Sequence, residues 1–120
     1  MNERDPNCIF CKIVEGQLPS RKLYEDEELL AFHDIHPWAP VHFLVVPKRH
    51  ILSMAHVTSE DAPLLGRMMS LIPQLAMQAG CSPYPHGGYR IMVNTGDHGG
   101  QEVHHLHLHV IGGPRPWIKG

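Results

Sequence analysis

Residues 105, 107 and 109 are histidines, in the run His-Leu-His-Leu-His-Val-Ile over residues 105–111. Successive side chains of a β-strand point to opposite faces, so a strand here would place the imidazoles on one face and the apolar side chains in the core. A helix would separate the first two imidazoles by about 200° around its axis. Because imidazole serves as nucleophile, acid, base or ligand near neutral pH, the run predicts a reactive face; the alternative is a solvated strand face.

A glycine-rich segment, Gly96-Asp97-His98-Gly99-Gly100-Gln101-Glu102-Val103, precedes the histidine run. Glycine lets backbone N–H groups approach an anion without obstruction by a Cβ atom. Such segments also occur in surface turns for reasons of turn geometry alone, so the signal is weak by itself. Beside a row of imidazoles it predicts a phosphate site.

Cys8 and Cys11 have the Cys-x-x-Cys spacing of a zinc site, which needs two further ligands for a closed tetrahedral shell. The chain has three cysteines and no export signal, which disfavours a disulfide. The alternative is a pair of buried reduced thiols. The residues alone do not select the other ligands among eleven histidines.

The elements that must position these residues follow from hydrophobic periodicity and turn signals. We predict a short helix over residues 6–15, strands over 21–24, 29–34 and 41–46, a long helix over 58–79, and strands over 89–94 and 103–111. Thr58 begins a capping box ahead of the long helix, and Pro73 should kink it. One long helix among several strands predicts an α+β fold on an antiparallel sheet, in a single domain over residues 1–120.

Composition excludes several classes of protein. The 120 residues have 42% hydrophobic and 18% charged side chains and a net charge of -2, which describes a globular chain without a basic surface for nucleic acid. No apolar run reaches the roughly 20 residues of a membrane span, and the N-terminus has no signal-peptide pattern. We therefore expect no nucleic-acid partner, no membrane association and a cytoplasmic location.

The motifs resemble those of the histidine-triad (HIT) superfamily, in particular its Hint branch of purine nucleoside phosphoramidases. The resemblance rests on the triad at 105–111, the segments 99–103 and 112–113 around it, and the stretches 31–35 and 39–50. It implies the HIT fold, a five-stranded antiparallel sheet with one long and one short helix. It also implies a homodimer in which residues 62–79 and 89–94 join two sheets into a ten-stranded one.

The resemblance further implies hydrolysis of the P–N bond of nucleoside 5′-phosphoramidates, of the AMP-amine or aminoacyl-AMP type, with AMP or GMP as the nucleotide. His107 would be the nucleophile of a nucleotidyl-histidine intermediate. His109 would bind a phosphoryl oxygen or protonate the leaving amine, and His105 and His42 would support them. No cofactor would be needed for the chemistry, and a structural zinc ion would be held by Cys8, Cys11, His50 and His105.

The nucleotide-binding residues implied by the resemblance form three groups. Asp34 would accept hydrogen bonds from the ribose hydroxyls. The base pocket would be apolar and consist of Ile9, Phe10, Ile13, Phe32 and Ile35. The phosphate and leaving group would lie against Asn94, Gly100, Gln101, Glu102 and Val103. Glu102 departs from relatives that have serine there, and its carboxylate should repel anionic leaving groups and favour cationic ones.

Two other functions stay open at the level of sequence. The dinucleoside polyphosphate hydrolases share the triad, but Pro-Arg usually follows it there, whereas Gly112-Gly113 follows it here. Alternatively, the chain is a nucleotide-binding or interaction module in which catalysis is vestigial.

Overall fold

The computed structural model describes residues 4–118, which form a five-stranded antiparallel sheet with a helix on each face. The elements in chain order are α1 (Ile9–Val14), β1 (Lys22–Glu25), β2 (Leu29–His33), β3 (Val41–Pro47), α2 (Ala62–Ala79), β4 (Tyr89–Met92) and β5 (Leu108–Gly112). The strand order is β1-β2-β3-β5-β4, and each neighbouring pair is antiparallel. The predicted α+β fold, with one long and one short helix, is confirmed.

Helix α2 has the expected start and stop signals. The Thr58 capping box closes a 3-10 turn, Ser59–Asp61, and the α-helix itself begins at Ala62. Gly80 ends the helix with φ at 113°, a conformation that glycine adopts without a steric penalty. The helix runs without interruption through Pro73, whose side chain is exposed. No helix among residues 4–118 combines the length and apolarity needed to cross a bilayer.

The two faces of the sheet have different cores. On one face, Phe43, Val45, Leu108 and Val110 pack against α2. On the opposite face, Leu44 and its neighbours pack against α1. Since successive residues of a strand face opposite sides, His109 lies on the α1 face, between two residues that pack on α2. The predicted division between imidazoles and apolar residues therefore holds along β5.

The last two strands are shorter than predicted. We expected strands over 103–111 and 89–94, but β5 begins at Leu108 and β4 ends at Met92, which pairs with His109. Beyond Met92 the chain leaves the sheet for the glycine-rich loop, so no strand of the described residues lies beside residues 103–107 on that side. The Leu106 N–H instead donates to the Ile51 carbonyl, at 2.6 Å. His105 and His107 therefore precede the strand that carries His109.

Candidate active site and metal centre

His107 is buried, with 6% of its surface exposed, and its ring orientation follows from one hydrogen bond. Its Nδ1 lies 2.7 Å from the carbonyl oxygen of His105. A carbonyl can only accept, so Nδ1 carries the proton and Nε2 keeps its lone pair. The ring of Phe10 contacts the imidazole edge to face, with centroids 5.1 Å apart. The result is a fixed neutral imidazole with one free nitrogen.

A second chain of hydrogen bonds orients His109. The backbone N–H of Trp38 donates to His42 Nδ1 at 3.1 Å, so the proton of His42 lies on Nε2. His42 Nε2 lies 2.9 Å from His109 Nδ1, which must then accept. His109 consequently carries its own proton on Nε2. The indole of Trp38 stacks on the His109 ring, with centroids 5.2 Å apart and planes 17° from parallel.

Burial keeps these imidazoles neutral. It lowers the pKa of His109 to about 4, with a further contribution from the neighbouring His107 and His42. Burial also lowers the pKa of His42 and of His107, and the charges of Asp34 and Glu102 partly oppose this effect at His107. At neutral pH the site therefore combines a free lone pair on His107 with an N–H donor on His109.

Both imidazoles open onto a cavity of about 160 Å³. Besides His107 and His109, nine of the described residues line this cavity. Six of them were predicted to bind the nucleotide and three were not. The predicted ones are Phe10, Asp34, Asn94, Gly100, Glu102 and Val103, and the others are His36, Trp38 and Leu44. A larger open groove of about 650 Å³ lies near the C-terminal end of α2, but no residue of the triad lines it.

The other predicted binding residues do not line this cavity. Ile13 and Phe32 are buried in the core beneath α1, whereas Ile9 and Ile35 are 48% and 82% exposed. Gln101 is buried and braces the glycine-rich loop: its Oε1 accepts from the Gly96 N–H, and its Nε2 donates to the carbonyls of Leu52 and Val103.

Turn geometry accounts for part of the glycine content of this loop. Gly100 has φ at 77°, a left-handed conformation that other residues rarely adopt. A Cβ on Gly99 would lie 2.3 Å from the carbonyl oxygen of Thr95. The loop is thus closed on itself, and Gly100 reaches the cavity on a fixed backbone.

Asp34 follows β2 and reaches the same side of the sheet as the imidazoles. Its backbone N–H donates to the His42 carbonyl, and its Oδ1 accepts from the His36 N–H at 2.8 Å. Its Oδ2 lies 3.6 Å from His42 Nε2. The carboxylate is oriented by these contacts and is still 20% exposed, so it can accept hydrogen bonds from a ligand.

Trp38 is the main residue that sequence reasoning missed. The segment Pro37-Trp38-Ala39-Pro40 gives no periodic signal, and its prolines only exclude a central strand. The four-residue spacing between Trp38 and His42 does not by itself indicate a contact. Only the turn into β3 brings the indole onto the His109 ring.

The structure also brings Cys8, Cys11, His50 and His105 together. Their candidate ligand atoms all lie within 4.8 Å of one another. Cys8 Sγ is 3.3 Å from His105 Nδ1, Cys11 Sγ is 3.3 Å from His50 Nδ1, and the two Nδ1 atoms are 3.2 Å apart. Bonds of about 2.0–2.3 Å to a tetrahedral zinc ion place neighbouring ligand atoms roughly 3.3–3.8 Å apart, so this donor set fits that ion.

Surrounding contacts also suit a metal. His105 Nε2 donates to the Pro47 carbonyl at 2.8 Å, which leaves the Nδ1 lone pair directed at the sulfurs. Cys8 is the N-cap of α1, and its sulfur accepts from the Cys11 N–H. Burial raises the pKa of Cys11 to about 11, so a thiolate here requires a cation beside it. The site ties α1 to the end of β3 and to the segment before β5.

Comparisons with known proteins agree with this geometry. The family described as "Scavenger mRNA decapping enzyme C-term binding" matches residues 7–117. Protein HitA of Neisseria gonorrhoeae is 47% identical over 108 residues, which cover 90% of this chain and 97% of that protein. The crystal structure of a HIT family hydrolase from Legionella pneumophila Philadelphia 1 has a TM-score of 0.84 at 43% identity, over 91% of this chain and 95% of the other.

The structure of a histidine triad protein from Clostridium difficile gives a TM-score of 0.86 at 40% identity, over 94% of this chain and 96% of the other. These similarities extend over nearly the whole chain, and the family match at residues 7–117 includes the segment that carries the three histidines. The chain therefore belongs to the histidine-triad (HIT) family, as a hydrolase-like, nucleotide-binding member.

Proposed function

We propose that this protein hydrolyses the P–N bond of purine nucleoside 5′-phosphoramidates through a covalent nucleotidyl-histidine. The observation that carries the proposal is the free Nε2 of His107 beside the cavity, with Nδ1–H held by the His105 carbonyl at 2.7 Å. A nucleophilic imidazole needs an unprotonated nitrogen aimed at phosphorus, and this hydrogen bond fixes the required tautomer.

In the first step, His107 Nε2 forms a bond to phosphorus while the P–N bond breaks. The leaving nitrogen keeps the electron pair of that bond and takes a proton from solvent, because the neutral His109 has only its Nε2 proton and would become an imidazolate if it gave that proton up. In the second step, water attacks phosphorus, the P–Nε2 bond breaks, and the water proton is released, which yields the nucleoside monophosphate and neutral His107. His109 Nε2–H donates to a phosphoryl oxygen, where a fixed donor stabilises the transition state.

The nucleoside binds on the Asp34 side of the imidazoles in this proposal. The oriented carboxylate accepts from the ribose hydroxyls, and the base packs against apolar surface that includes Phe10. Ile35 follows Asp34 directly and is 82% exposed, so a purine next to the ribose would cover it. Ile9, also exposed, would contribute to the same surface, and the buried Ile13 and Phe32 would support Phe10, which contacts Phe32 edge to face.

Zinc has a structural role in this proposal. Cys8, Cys11, His50 and His105 would supply all four ligands and leave no position for an activated water, which distinguishes a structural zinc site from a catalytic one. Such an ion would fix the backbone around His105, whose carbonyl orients His107. No cofactor takes part in the bond-breaking steps.

The active form is a homodimer in this proposal. In the described sheet β4 has a neighbour on one side only, and α2 exposes Met69 and Met77. Pairing of β4 and α2 with a second copy would remove the open edge and join two sheets into one of ten strands. Light scattering should then give twice the 13.5 kDa mass of the chain, whereas a monomer at micromolar concentration contradicts the dimer.

The decisive experiment compares three readouts on the purified protein. Adenosine 5′-phosphoramidate and diadenosine triphosphate are supplied separately, and AMP release is followed for each. Rapid acid quench and intact-mass analysis then test for an AMP adduct on wild-type protein, with His107→Ala as the variant and His86→Ala, on an exposed loop, as the control.

Faster cleavage of the phosphoramidate, with an adduct that His107→Ala lacks, supports the proposal. Faster cleavage of diadenosine triphosphate would assign the chain to the polyphosphate hydrolases instead. Tight AMP binding without turnover of either substrate would indicate a vestigial binding module.

A further inference from the structure

The cavity that would bind the phosphate is lined by negatively charged side chains. Among the described residues, 4–118, its lining contains two carboxylates, Asp34 and Glu102, and no lysine or arginine. A bound phosphoryl group must therefore be held by neutral donors such as the His109 N–H. Each further negative charge on a ligand would meet these carboxylates with none of the described lysine or arginine side chains in the lining to compensate, so polyphosphates are poorly suited to this cavity.

The two carboxylates belong to segments that follow different strands of the sheet. Asp34 follows β2, whereas Glu102 ends the loop that leaves β4. Strands β3 and β5 separate β2 from β4, which corresponds to about 14 Å at the usual strand spacing. If the ribose binds at Asp34, Glu102 is available to the opposite part of the substrate, the leaving group.

Reaction geometry directs the leaving group toward the cavity mouth. Attacking and leaving atoms lie roughly in line through phosphorus in a phosphoryl transfer. His107 is buried and Glu102 is exposed, and both line the cavity, so an amine that leaves in line, away from His107, departs toward the exposed part of the lining that includes Glu102. Solvent access there allows amines of different length and charge.

The backbone of Glu102 is held on both sides. The preceding residue, Gln101, is buried and bonded through its amide to Gly96, Leu52 and Val103. The following residue, Val103, packs against the core beneath α1. Because its backbone is fixed, the Glu102 carboxylate stays in the same part of the cavity lining whichever substrate binds. Selection of substrates by charge requires such a fixed position.

We propose that Glu102 is a specificity residue that selects leaving amines bearing a positive charge beyond the scissile nitrogen. The inference rests on the proposed phosphoramidase function and narrows its substrates by charge, to phosphoramidates whose leaving amine carries a second, cationic group. Anionic leaving groups, including polyphosphate, are disfavoured by the same carboxylate.

The expected magnitude follows from Coulomb's law. Unit charges about 6 Å apart change a rate constant roughly 3-fold in fully aqueous surroundings and about 100-fold at an effective dielectric constant near 20. Glu102 is exposed, so the lower part of this range applies. We expect a preference of about 3-fold to 10-fold in kcat/KM for each step from anionic to neutral to cationic leaving group.

Three AMP amides of matched length test the proposal: those of 1,5-diaminopentane, hexylamine and 6-aminohexanoate. They end in an ammonium, a methyl and a carboxylate group respectively. kcat/KM is measured for wild-type protein, for Glu102→Gln, which removes the charge with little change of shape, and for Glu60→Gln. Glu60 is an exposed glutamate on the turn before α2 and serves as the matched control.

The order ammonium, methyl, carboxylate in the wild type and in Glu60→Gln, with loss of that order in Glu102→Gln, supports the proposal. A wild type that cleaves the hexylamide but shows no preference among the three overturns it and leaves the phosphoramidase function intact. A preference that survives in Glu102→Gln overturns the role of this residue. Failure to cleave even the uncharged hexylamide overturns the phosphoramidase function and this inference with it.

Discussion

Substitution of His42 by phenylalanine tests the hydrogen-bond chain that orients His109. Phenylalanine keeps a planar ring at a position that is 2% exposed, so packing along β3 changes little. It removes both bonds of the imidazole, the one from the Trp38 N–H at 3.1 Å and the one to His109 Nδ1 at 2.9 Å. His109 can then move its proton to Nδ1 and present a lone pair, instead of a donor, to the phosphoryl oxygen.

Two magnitudes follow from these lost contacts. An unpaired buried polar group costs about 1–3 kcal/mol, so with Trp38 N–H and His109 Nδ1 both affected the free energy of unfolding should fall by roughly 2–6 kcal/mol. Loss of one fixed donor to a developing oxyanion lowers kcat about 10²–10³-fold. The change should appear mainly in kcat, because the donor is most effective in the transition state.

Urea unfolding and steady-state kinetics with adenosine 5′-phosphoramidate measure the two effects. His86→Phe, the same replacement on an exposed loop, should leave both quantities near the wild-type values. If His42→Phe lowered stability as expected but kept kcat within threefold of the wild type, the orientation of His109 by His42 would not matter for the reaction, and the reasoning above would be refuted.

Three further perturbations address the nucleophile, the metal and pH. His107→Ala should lower turnover more than the roughly 10²–10⁴-fold loss typical of a missing acid or base, with a nearly unchanged circular dichroism spectrum; one tenth of wild-type turnover would show that His107 is not the nucleophile. Fresh protein should contain close to one zinc per chain by elemental analysis, and chelation or Cys11→Ser should lower the melting temperature while turnover survives; turnover abolished in folded metal-free protein and restored by zinc would make the metal catalytic. Burial lowers the pKa of His109 from 6.5 to about 4. Between pH 6.5 and 4 the unfolded state therefore binds more protons than the folded state. The contribution of the neutral His109 to the free energy of unfolding is fully present above pH 6.5 and is lost, by on the order of 3 kcal/mol, as pH falls toward 4. The pH dependence of urea unfolding should be weaker in His109→Asn, and an unchanged dependence would contradict this assignment.

Local periodicity explains which elements the sequence predicts well. The apolar spacing of the long helix, its Thr58 capping box and its terminal Gly80 all act within a few residues, and the helix forms nearly as predicted, with Ala62 as its first α-helical residue. The alternation at 105–111 likewise predicts which residues of β5 meet α2. These features depend on neighbours along the chain, which a single sequence displays directly.

Strand ends and pocket linings depend instead on partners elsewhere in the chain. The first residue of β5, Leu108, pairs with Val45 of β3, while β4 reaches only as far as His109, and alternation in 103–107 carries no information about these neighbours. Ile9 and Ile35 are as apolar as the core residues but are exposed, whereas the unpredicted Trp38 lines the cavity. Apolar character alone does not distinguish a residue that faces a ligand from one that packs in the core.

The sequence by itself determined that imidazoles would share a face, that Cys8 and Cys11 could hold a metal, and that a glycine-rich loop would adjoin them. The tertiary structure decided which histidines are partners and which nitrogen of each carries the proton. His42 and His109 are 67 residues apart in sequence and Cys8 and His105 are 97 apart, yet each pair is in contact. The proton positions follow from backbone groups at Trp38 and His105 that can only donate or only accept, and these groups meet the rings only after the sheet has assembled.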